Sequence, residues 1–486
     1  MNINSNENYL SLVITALDEL IAPEVNSAAA KTAVEMMKTT LNELRKREAD
    51  APVVIKTCIV EGRKILVDML LCAGEEQPIF KDIVNELHFD SLLLEYQQLT
   101  GQLHAVSETL RAEHSGDQVA GLLRRVAEWE LSYYTNTAAL KVAEAPKFEN
   151  PRQPLTKSAL QDFINSLDEH IGAPVQLDKF ESLMGGFGKQ TFLCSYKKPD
   201  GSTRELVVRK SDPMPIMLHG SCLLDNEHAL LCALPEDYPA PKPLAYAAQW
   251  QNVDGDFYIM DRSAGEVPGA FLHGMNKEMP EEVFLDLAEM LGQLHSVPLN
   301  TFSDYAEKYD APNILQGTVA DSYRANLAGW AGYIQEQEHL PSPYLIWLMN
   351  WLETNLPEDT RAPVLVHGDF NIHNVLVNEG RISAILDWEC AGFGATEQDL
   401  AYIRPHISQH IEWTKFLNHY LAHGGREPDE AMMNYGMVYA ALRTNLAGNK
   451  ATFNLQQGRN RDLRYSMVEL GFTPSFMNLA LNSAKG

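Results

Sequence analysis

The first 142 residues place apolar and polar side chains with the period of an α-helix. Between residues 10 and 21, apolar side chains recur at three- and four-residue spacing, which puts them on one helical face. Glycine is rare in this region, and no strand-like alternation occurs. The pattern predicts an all-α bundle over residues 1–142, with further helices over 27–46, 53–71, 78–113 (with an interruption near Phe89) and 117–140.

The pattern changes after residue 142. Residues 143–156 contain three prolines and little periodicity, which is typical of a linker. Residues 157–264 are rich in β-forming runs, over 191–196, 205–209 and 257–260, with one helix-like stretch over 223–234. Residues 265–486 return to helical patterns, interrupted by a short strand pair over 364–366 and 384–386. We therefore predict an α+β protein in which a small mixed lobe precedes a large helical lobe.

Composition narrows the class of function. The 486 residues carry 39 basic and 65 acidic side chains, a formal net charge of −26. Such a field repels nucleic acid and anionic membrane surfaces, so we expect neither as a partner. The six cysteines are scattered without paired spacing, which argues against structural zinc and a disulfide framework. With no apolar stretch near bilayer-spanning length, the sequence predicts a cytoplasmic protein.

The most specific motif is His367-Gly-Asp-Phe-Asn-Ile-His-Asn374, which is followed by a short apolar run and then by Ile385-Leu-Asp387-Trp. Phosphoryl transfer depends on positioning and charge neutralisation, so it needs a carboxylate at the attacking hydroxyl and oxygen ligands for magnesium. Asp369 meets the first need. Asn374, five residues later, and Asp387, at the end of the next strand, supply hard ligands.

These residues resemble the aminoglycoside phosphotransferase and choline kinase group of the protein-kinase-like superfamily, whose loop is H-x-D-x-x-x-x-N followed by a strand that ends in Asp. The resemblance covers roughly residues 175–443 and implies the two-lobe kinase-like fold with ATP and Mg²⁺. It also implies that Asp369 is the catalytic base, that Asn374 and Asp387 are magnesium ligands, and that Asp399 anchors the catalytic loop.

The upstream segments follow the order expected in such a kinase. Met184-Gly-Gly-Phe-Gly-Lys-Gln-Thr191 is a candidate glycine loop, in which the backbone at Gly186 and Gly188 would cover the phosphates. It is not a Walker A loop, because Gln190 follows Lys189 where Ser or Thr is required.

The next two segments supply candidate nucleotide contacts. Val207-Val-Arg209-Lys210 stands where this group has a strand lysine that contacts the phosphates. Strand alternation allows one of Arg209 and Lys210 to face the nucleotide; Arg209 is favoured, and Lys210 is the alternative. Glu227, on the following helix, would pair with that cation. The strand ending at Met260 and Asp261 resembles the hinge whose backbone binds adenine.

The acceptor is less clearly indicated. The arginine at the lysine position and the run Asp387-Trp-Glu389 resemble the branch of kinase domains linked to acyl-CoA dehydrogenases, which implies a hydroxyacyl-CoA or hydroxy acid as the alcohol. An aminoglycoside or other amino sugar or amino alcohol is the alternative acceptor. A non-catalytic, kinase-like binding or scaffold protein is the rival from another class. The amphipathic N-terminal helices suggest a homodimer.

Overall fold

The structure, a computed structural model of the 486-residue chain, divides by its internal contacts into two compact units. One comprises residues 1–148, 334–355 and 441–486, and the other comprises residues 149–333 and 356–440. The residues that the structure describes are 10, 13–14, 17–48, 51–83, 89–136, 152–167, 175–183, 188–198, 200–270, 274–275, 278–309, 313–457, 459 and 468–485. Most of the predicted linker, and Gly186 of the glycine loop, lie outside them.

The first unit, here called the accessory unit, is helical. Its helices are α1 (Ala28–Glu48), α2 (Ala51–Ala73), α3 (Phe89–Glu113) and α4 (Asp117–Asn136), joined by α11 (Pro343–Thr354), the second part of α14 (Glu430–Gln456) and α15 (Thr473–Ser483).

An aromatic pair packs the centre of this unit. The Trp129 ring stacks on Tyr96 with 4.9 Å between ring centroids, and its Nε1 donates to the Cys58 carbonyl at 2.7 Å. Arg63 pairs with Glu95 at 2.6 Å. Trp129 on α4 thus contacts both α3 and α2, so one buried side chain with a satisfied N–H connects three helices. The apolar faces of these helices therefore pack against one another.

The accessory unit differs in two respects from the sequence prediction. The predicted domains follow the chain without interruption, whereas the contacts add residues 334–355 and 441–486 to the N-terminal helices. Helix α11 is apolar on most of its surface, so its periodicity does not indicate which neighbour it packs against. The helix predicted over 78–113 begins at Phe89, and residues 78–83 form no regular element.

The second unit, here called the kinase unit, begins with α5 (Lys157–Asn165) and a five-stranded antiparallel sheet. The sheet order is β1-β2-β3-β5-β4, and its strands are β1 (Leu177–Leu183), β2 (Lys189–Lys197), β3 (Thr203–Ser211), β4 (Pro243–Ala247) and β5 (Phe257–Asp261), with α6 (Leu224–Ala233) between β3 and β4.

Alternation along β3 and β5 divides this sheet into two faces. Leu206, Val208, Phe257 and Ile259 join a core with α5, whereas Tyr258 and its neighbours on the opposite face join the core of the helical lobe. Each strand therefore contributes to both cores, as a period of two requires.

The helical lobe contains the remaining elements. They are β6 (Gly269–Ala270), β7 (Gly274–Met275), α7 (Glu281–Ser296), α8 (Ser303–Lys308), α9 (Asn313–Gln316), α10 (Val319–Glu336), β8 (Val364–Val366), β9 (Val375–Asn378), β10 (Arg381–Ile385), β11 (Gly392–Gly394), α12 (Thr396–Ile407), α13 (Trp413–Ala422) and the first part of α14. Strand β8 pairs with β11, and β9 pairs with β10. The predicted α+β, two-lobe kinase-like fold with N-terminal helices is confirmed.

Within the described ranges, the helices are all too short or too polar to cross a lipid bilayer.

One buried carboxylate in the accessory unit generates a prediction about pH. Glu130 on α4 is 4% exposed, and it accepts a hydrogen bond from the Tyr344 amide in the first turn of α11 at 2.7 Å. Burial raises the pKa of Glu130 to about 7, although the hydrogen bonds from Tyr344 and Ser342 oppose the shift. Because the folded pKa exceeds the unfolded one, ionisation of Glu130 lowers stability as pH rises from about 4.5 to about 7.

We predict that Glu130→Gln stabilises the protein relative to wild type at pH 8 but not at pH 5, since glutamine keeps an acceptor for the Tyr344 amide without the buried charge. The change in the free energy of unfolding should reach up to about 3 kcal/mol. Chemical denaturation at both pH values measures it. Glu128→Gln, an exposed residue of the same helix, is the control. A Glu130→Gln effect that does not vary with pH contradicts the prediction.

Candidate active site

The His367–Asn374 motif forms a loop that begins directly after β8. Gly368 has φ of +77°, and a Cβ at this position would lie 2.2 Å from the Cys390 carbonyl oxygen. Any other residue would therefore strain the backbone and clash with the chain at Cys390. The glycine between His367 and Asp369 is thus required by the close approach of two backbone segments.

A buried carboxylate holds the start of this loop. Asp399 on α12 accepts hydrogen bonds from the amides of His367 and Gly368, each at 2.8 Å. His295 on α7 lies 3.2 Å away, with Nε2 facing Asp399 Oδ2. The expected anchoring role of Asp399 is confirmed by these contacts. Two backbone donors and an imidazole satisfy a carboxylate that is fully removed from solvent.

His367 is fully engaged in holding the loop. Its Nε2 donates to the Leu386 carbonyl at 2.9 Å, and its Nδ1 accepts from the Asp369 amide at 3.3 Å. One nitrogen donates and the other accepts, which describes a neutral imidazole. Burial lowers the pKa of His367, in agreement with this state. The residue positions Asp369 relative to the end of β10.

Asn374 closes the other end of the loop onto Asp369. Its Nδ2 donates both to the Asp369 carbonyl and to Asp369 Oδ2, each at 2.9 Å. Because the amide nitrogen makes these two bonds, the amide oxygen Oδ1 is directed elsewhere. The two hydrogen bonds therefore hold the amide group of Asn374 beside the carboxylate of Asp369.

Asp387 follows β10 in a left-handed conformation, with φ of 64° and ψ of 62°. Aspartate tolerates this region better than most residues, yet it costs about 1 kcal/mol. Hydrogen bonds of its neighbour Leu386 hold the turn, since the Leu386 amide donates to the Asn374 carbonyl at 2.7 Å. Strain that the surrounding structure maintains in this way is typical of a functional position.

The Asp387 carboxyl lies among other charged groups. Burial raises its pKa, the positive charge of Arg209 opposes that shift, and the negative charges of Glu389 and Asp369 add to it. The Asp387 carboxyl therefore lies where burial and neighbouring negative charges disfavour its ionisation and where a nearby cation favours it.

Strand β3 separates Arg209 from Lys210. Arg209 points to the face that carries α6 and the helical lobe: its Nε lies 2.7 Å from Glu227 on α6, and its Nη2 lies 2.5 Å from Asp387 in the helical lobe. Lys210 points to the opposite face, where it is buried and pairs with Asp254 at 2.6 Å. Of the two cations, Arg209 lies in the cleft with Asp387.

Lys189 and Glu389 complete this charged cluster. Lys189 Nζ lies 3.2 Å from Glu389 Oε2 and 2.5 Å from the Cys222 carbonyl, and the same glutamate oxygen lies 3.5 Å from Arg209. Glu227 also accepts from the Tyr258 hydroxyl at 3.2 Å. Two cations from the sheet thus face three carboxylates from α6 and the segment after β10.

The glycine loop and hinge are described in part. A Cβ at Gly188 would lie 2.8 Å from Glu389 Oε2, so Gly188 itself lies against the charged cluster. The ladder between β4 and β5 begins opposite Met260 and does not extend to Asp261. The Asp261 carboxylate makes two bonds to Arg204, at 2.7 and 2.8 Å. Asp261, which pairs with Leu206 of β3, is the last residue of β5.

The structure thus brings most of the predicted site residues together. Asp369, Asn374, Asp387, Arg209 and Glu227 form one connected set of hydrogen bonds and charges, with Gly188 above it. The Asp261 side chain pairs with Arg204 instead.

Lys189 was not predicted as a site residue, and Glu389 was noted in the sequence only as part of the segment Asp387-Trp-Glu389. Lys189 directly follows Gly188 of the candidate glycine loop, and this position in the sequence could have indicated that its side chain belongs to the site.

The comparisons with known proteins agree with this geometry. The sequence model described as "Phosphotransferase enzyme family" matches residues 180–433, which is more than half of the chain. The chain belongs to this family: it is a phosphotransferase, a small-molecule kinase with a hydroxyl group as acceptor. The suspected aminoglycoside-phosphotransferase-like relationship is confirmed.

Individual relatives cover parts of the chain. Acyl-CoA dehydrogenase family member 11 of Rattus norvegicus is 29% identical over 215 residues, which is 43% of this chain and 26% of the relative. Hygromycin-B 4-O-kinase of Escherichia coli is 39% identical over 72 residues, 14% of this chain and 20% of that protein. The chain thus spans about a quarter of the acyl-CoA dehydrogenase relative that it matches.

Among solved structures, the macrolide 2'-phosphotransferase MphH apoenzyme from Brachybacterium faecium aligns with a TM-score of 0.40 and 18% identity. The alignment covers 66% of this chain and 97% of MphH.

We predict that Asp399→Asn lowers both stability and turnover. The NH₂ group of asparagine would face one of the two backbone N–H groups that now donate hydrogen bonds to the carboxylate. The free energy of unfolding should fall by about 1–3 kcal/mol. Displacement of the loop should reduce kcat on the order of 100-fold. Denaturation and steady-state kinetics measure these effects. The exposed Asp304→Asn serves as the control. Wild-type kcat in Asp399→Asn would show that this anchor does not position Asp369.

Proposed function

We propose that this phosphotransferase uses ATP and Mg²⁺ to phosphorylate the hydroxyl group of a small molecule. The observation that carries the proposal is a connected set of side chains in which Asp369, Asn374 and Asp387 lie near the ends of β8, β9 and β10 and Arg209 lies on β3. A carboxylate, an amide oxygen, a second carboxylate and a bidentate cation are the groups that phosphoryl transfer requires.

The donor set fits magnesium. The Asn374 amide nitrogen makes two hydrogen bonds, which leaves its oxygen to act as a ligand, and Asp387 is a carboxylate whose ionisation a nearby cation favours. Hard oxygen ligands of this kind suit Mg²⁺. Asn374 and Asp387 would hold the ion, which when bound neutralises phosphate charge and orients the phosphates.

The other residues have distinct roles in this proposal. Asp369 accepts a hydrogen bond from the substrate hydroxyl and orients it for attack. Arg209 binds phosphate oxygens while Glu227 keeps its guanidinium in place through the 2.7 Å contact. The backbone at Gly186 and Gly188 covers the phosphates, and the backbone at Met260 and Asp261 binds the adenine edge.

We propose a hydroxyacyl-CoA or a related hydroxy acid as the acceptor. Support comes from the resemblance of the Arg209 and Asp387-Trp-Glu389 segments to kinase domains linked to acyl-CoA dehydrogenases, and from the name of the rat relative. The short match to a hygromycin-B kinase favours an aminoglycoside as the second candidate.

We predict that purified protein releases ADP from ATP and Mg²⁺ in the presence of one class of alcohol, and that Asp369→Asn reduces this turnover by about 10²–10⁴-fold. The panel contains 3- and 4-hydroxyacyl-CoA thioesters, their free acids, hygromycin B and choline. Asp369→Asn should retain magnesium-dependent ATP binding, whereas Asp387→Asn should lose it.

The panel distinguishes the alternatives. Turnover with hygromycin B but not with thioesters would replace the first acceptor class with the second. ATP binding without turnover of any alcohol, unchanged in Asp369→Asn, would favour a binding or scaffold role. Equal magnesium dependence of ATP binding in Asp387→Asn and wild type would remove Asp387 from the metal site.

Arg209 and Lys210 are adjacent cations of β3, so substituting each in turn tests which of them contacts the nucleotide. We predict that Arg209→Met weakens ATP binding by about 10–100-fold, the worth of a charged hydrogen bond. Lys210→Met should leave ATP affinity near that of wild type while lowering thermal stability, because it removes the cation that pairs with Asp254. Calorimetric titration with ATP and thermal melts of both variants measure this. A larger loss of ATP affinity in Lys210→Met would transfer the phosphate contact to Lys210.

A further inference from the structure

Helices α7 and α13 approach each other closely in the helical lobe. A Cβ at Gly292 of α7 would lie 2.6 Å from the Tyr420 carbonyl oxygen and 3.0 Å from that of His423. Only glycine permits this approach, since a backbone carbonyl cannot move aside as a flexible side chain can. Glu289, one turn earlier on α7, is thereby brought against the end of α13.

Three side chains with metal-binding atoms meet at this crossing. Glu289 Oε2 lies 4.0 Å from His419 Nε2 and 3.8 Å from His423 Nε2. The three ligand atoms all lie within 4.8 Å of one another, and no other three-ligand group of this kind occurs among the residues that the structure describes. His419 lies in the last turn of α13, and His423, four residues later, follows directly after the helix as its C-cap.

Hydrogen bonds orient two of these side chains towards the shared space. His423 Nδ1 donates to the His419 carbonyl at 2.8 Å, so in the neutral ring the lone pair is on Nε2, the nitrogen that faces Glu289. Gln293 donates to Glu289 Oε1 at 3.1 Å, and Oε2 is the oxygen directed at the histidines. Partners of this kind commonly fix the orientation of metal ligands.

The separations suit a bridging cation better than direct contacts. At 3.8 and 4.0 Å, the carboxylate and the ring nitrogens are too far apart for hydrogen bonds. An Nε2 lone pair that faces a carboxylate oxygen is repulsive unless a cation lies between them. Tetrahedral zinc places its ligand atoms roughly 3.4 Å apart, so small side-chain shifts would complete the site.

We propose that Glu289, His419 and His423 bind a divalent transition metal, with zinc as the ion that two imidazoles and a carboxylate suit best. The side chains are 27%, 33% and 31% exposed, so the ion is accessible to solvent and exchangeable, with its fourth position open to water. This site is separate from the proposed magnesium site, whose donors are oxygens.

The metal would join the helices that support the catalytic loop. Tyr420, between the two histidines on α13, lies 2.9 Å from His295 on α7, and His295 contacts Asp399. Lys415 pairs with Glu281 at the other end of the same helix pair. Zinc binding should therefore raise the melting temperature of the protein.

The test uses full-length protein that has been dialysed against a chelator and then titrated with Zn²⁺ by calorimetry above the ordinary histidine pKa of about 6.5. Co²⁺ provides a second readout through its visible absorption. We expect one zinc equivalent bound in wild type, and affinity for it reduced more than about tenfold in His423→Ala and in Glu289→Gln.

Two controls separate this site from others. His410→Ala removes one member of another histidine pair at four-residue spacing, His406 and His410, and should leave zinc binding unchanged. Asp387→Asn alters the proposed magnesium site and should also leave it unchanged. Zinc affinity equal in wild type, His423→Ala and Glu289→Gln would overturn the proposal, as would wild-type protein that binds no zinc; the three residues would then form only an ion pair.

Discussion

The kinase unit depends on a balance of buried charge between its two lobes. Arg209 and Lys189 from the sheet face Glu227, Asp387 and Glu389, so two positive charges oppose three negative ones. Because a buried carboxylate without a partner is costly, the pairs of Lys189 with Glu389 and of Arg209 with Asp387 connect the sheet to the segment after β10. The excess of negative charge makes the same place receptive to an added cation.

The loop over residues 367–374 is positioned by contacts between buried side chains and backbone groups. Asp399 binds two consecutive amides, His367 binds the Leu386 carbonyl, and Gly368 lets the chain pass under Cys390. Each contact removes freedom from the loop, so Asp369 and Asn374 are held in place before any ligand arrives. Preorganisation of this kind is the main means by which a protein assists phosphoryl transfer.

The accessory unit depends on packing between helices that are distant in the sequence. Its N-terminal helices bury their apolar stripes together with α11 and the C-terminal helices, which come from later in the chain. Glu130 contributes to this arrangement by accepting the Tyr344 amide at the start of α11, where a helix end has unpaired donors. Two distant parts of the sequence thus depend on each other for their folding.

The sequence by itself determined much of the fold and the centre of the site. The spacing from His367 to Asn374 and on to Asp387 indicated the loop and its following strand, because these residues are close in the chain and local geometry places them. Alternation along β3 predicted that only one of Arg209 and Lys210 would face the cleft, and Arg209 is the one that contacts Asp387. Helical periodicity indicated the N-terminal bundle.

Only the tertiary structure decided the contacts between distant residues. Lys189 meets Glu389 across 200 positions, and Glu289 meets His419 and His423 through the close helix crossing at Gly292. Contacts between distant residues also place α11, from later in the chain, in the accessory unit with the N-terminal helices. Periodicity shows which face of an element is apolar but not which partner covers it, since that choice depends on packing among all the elements at once.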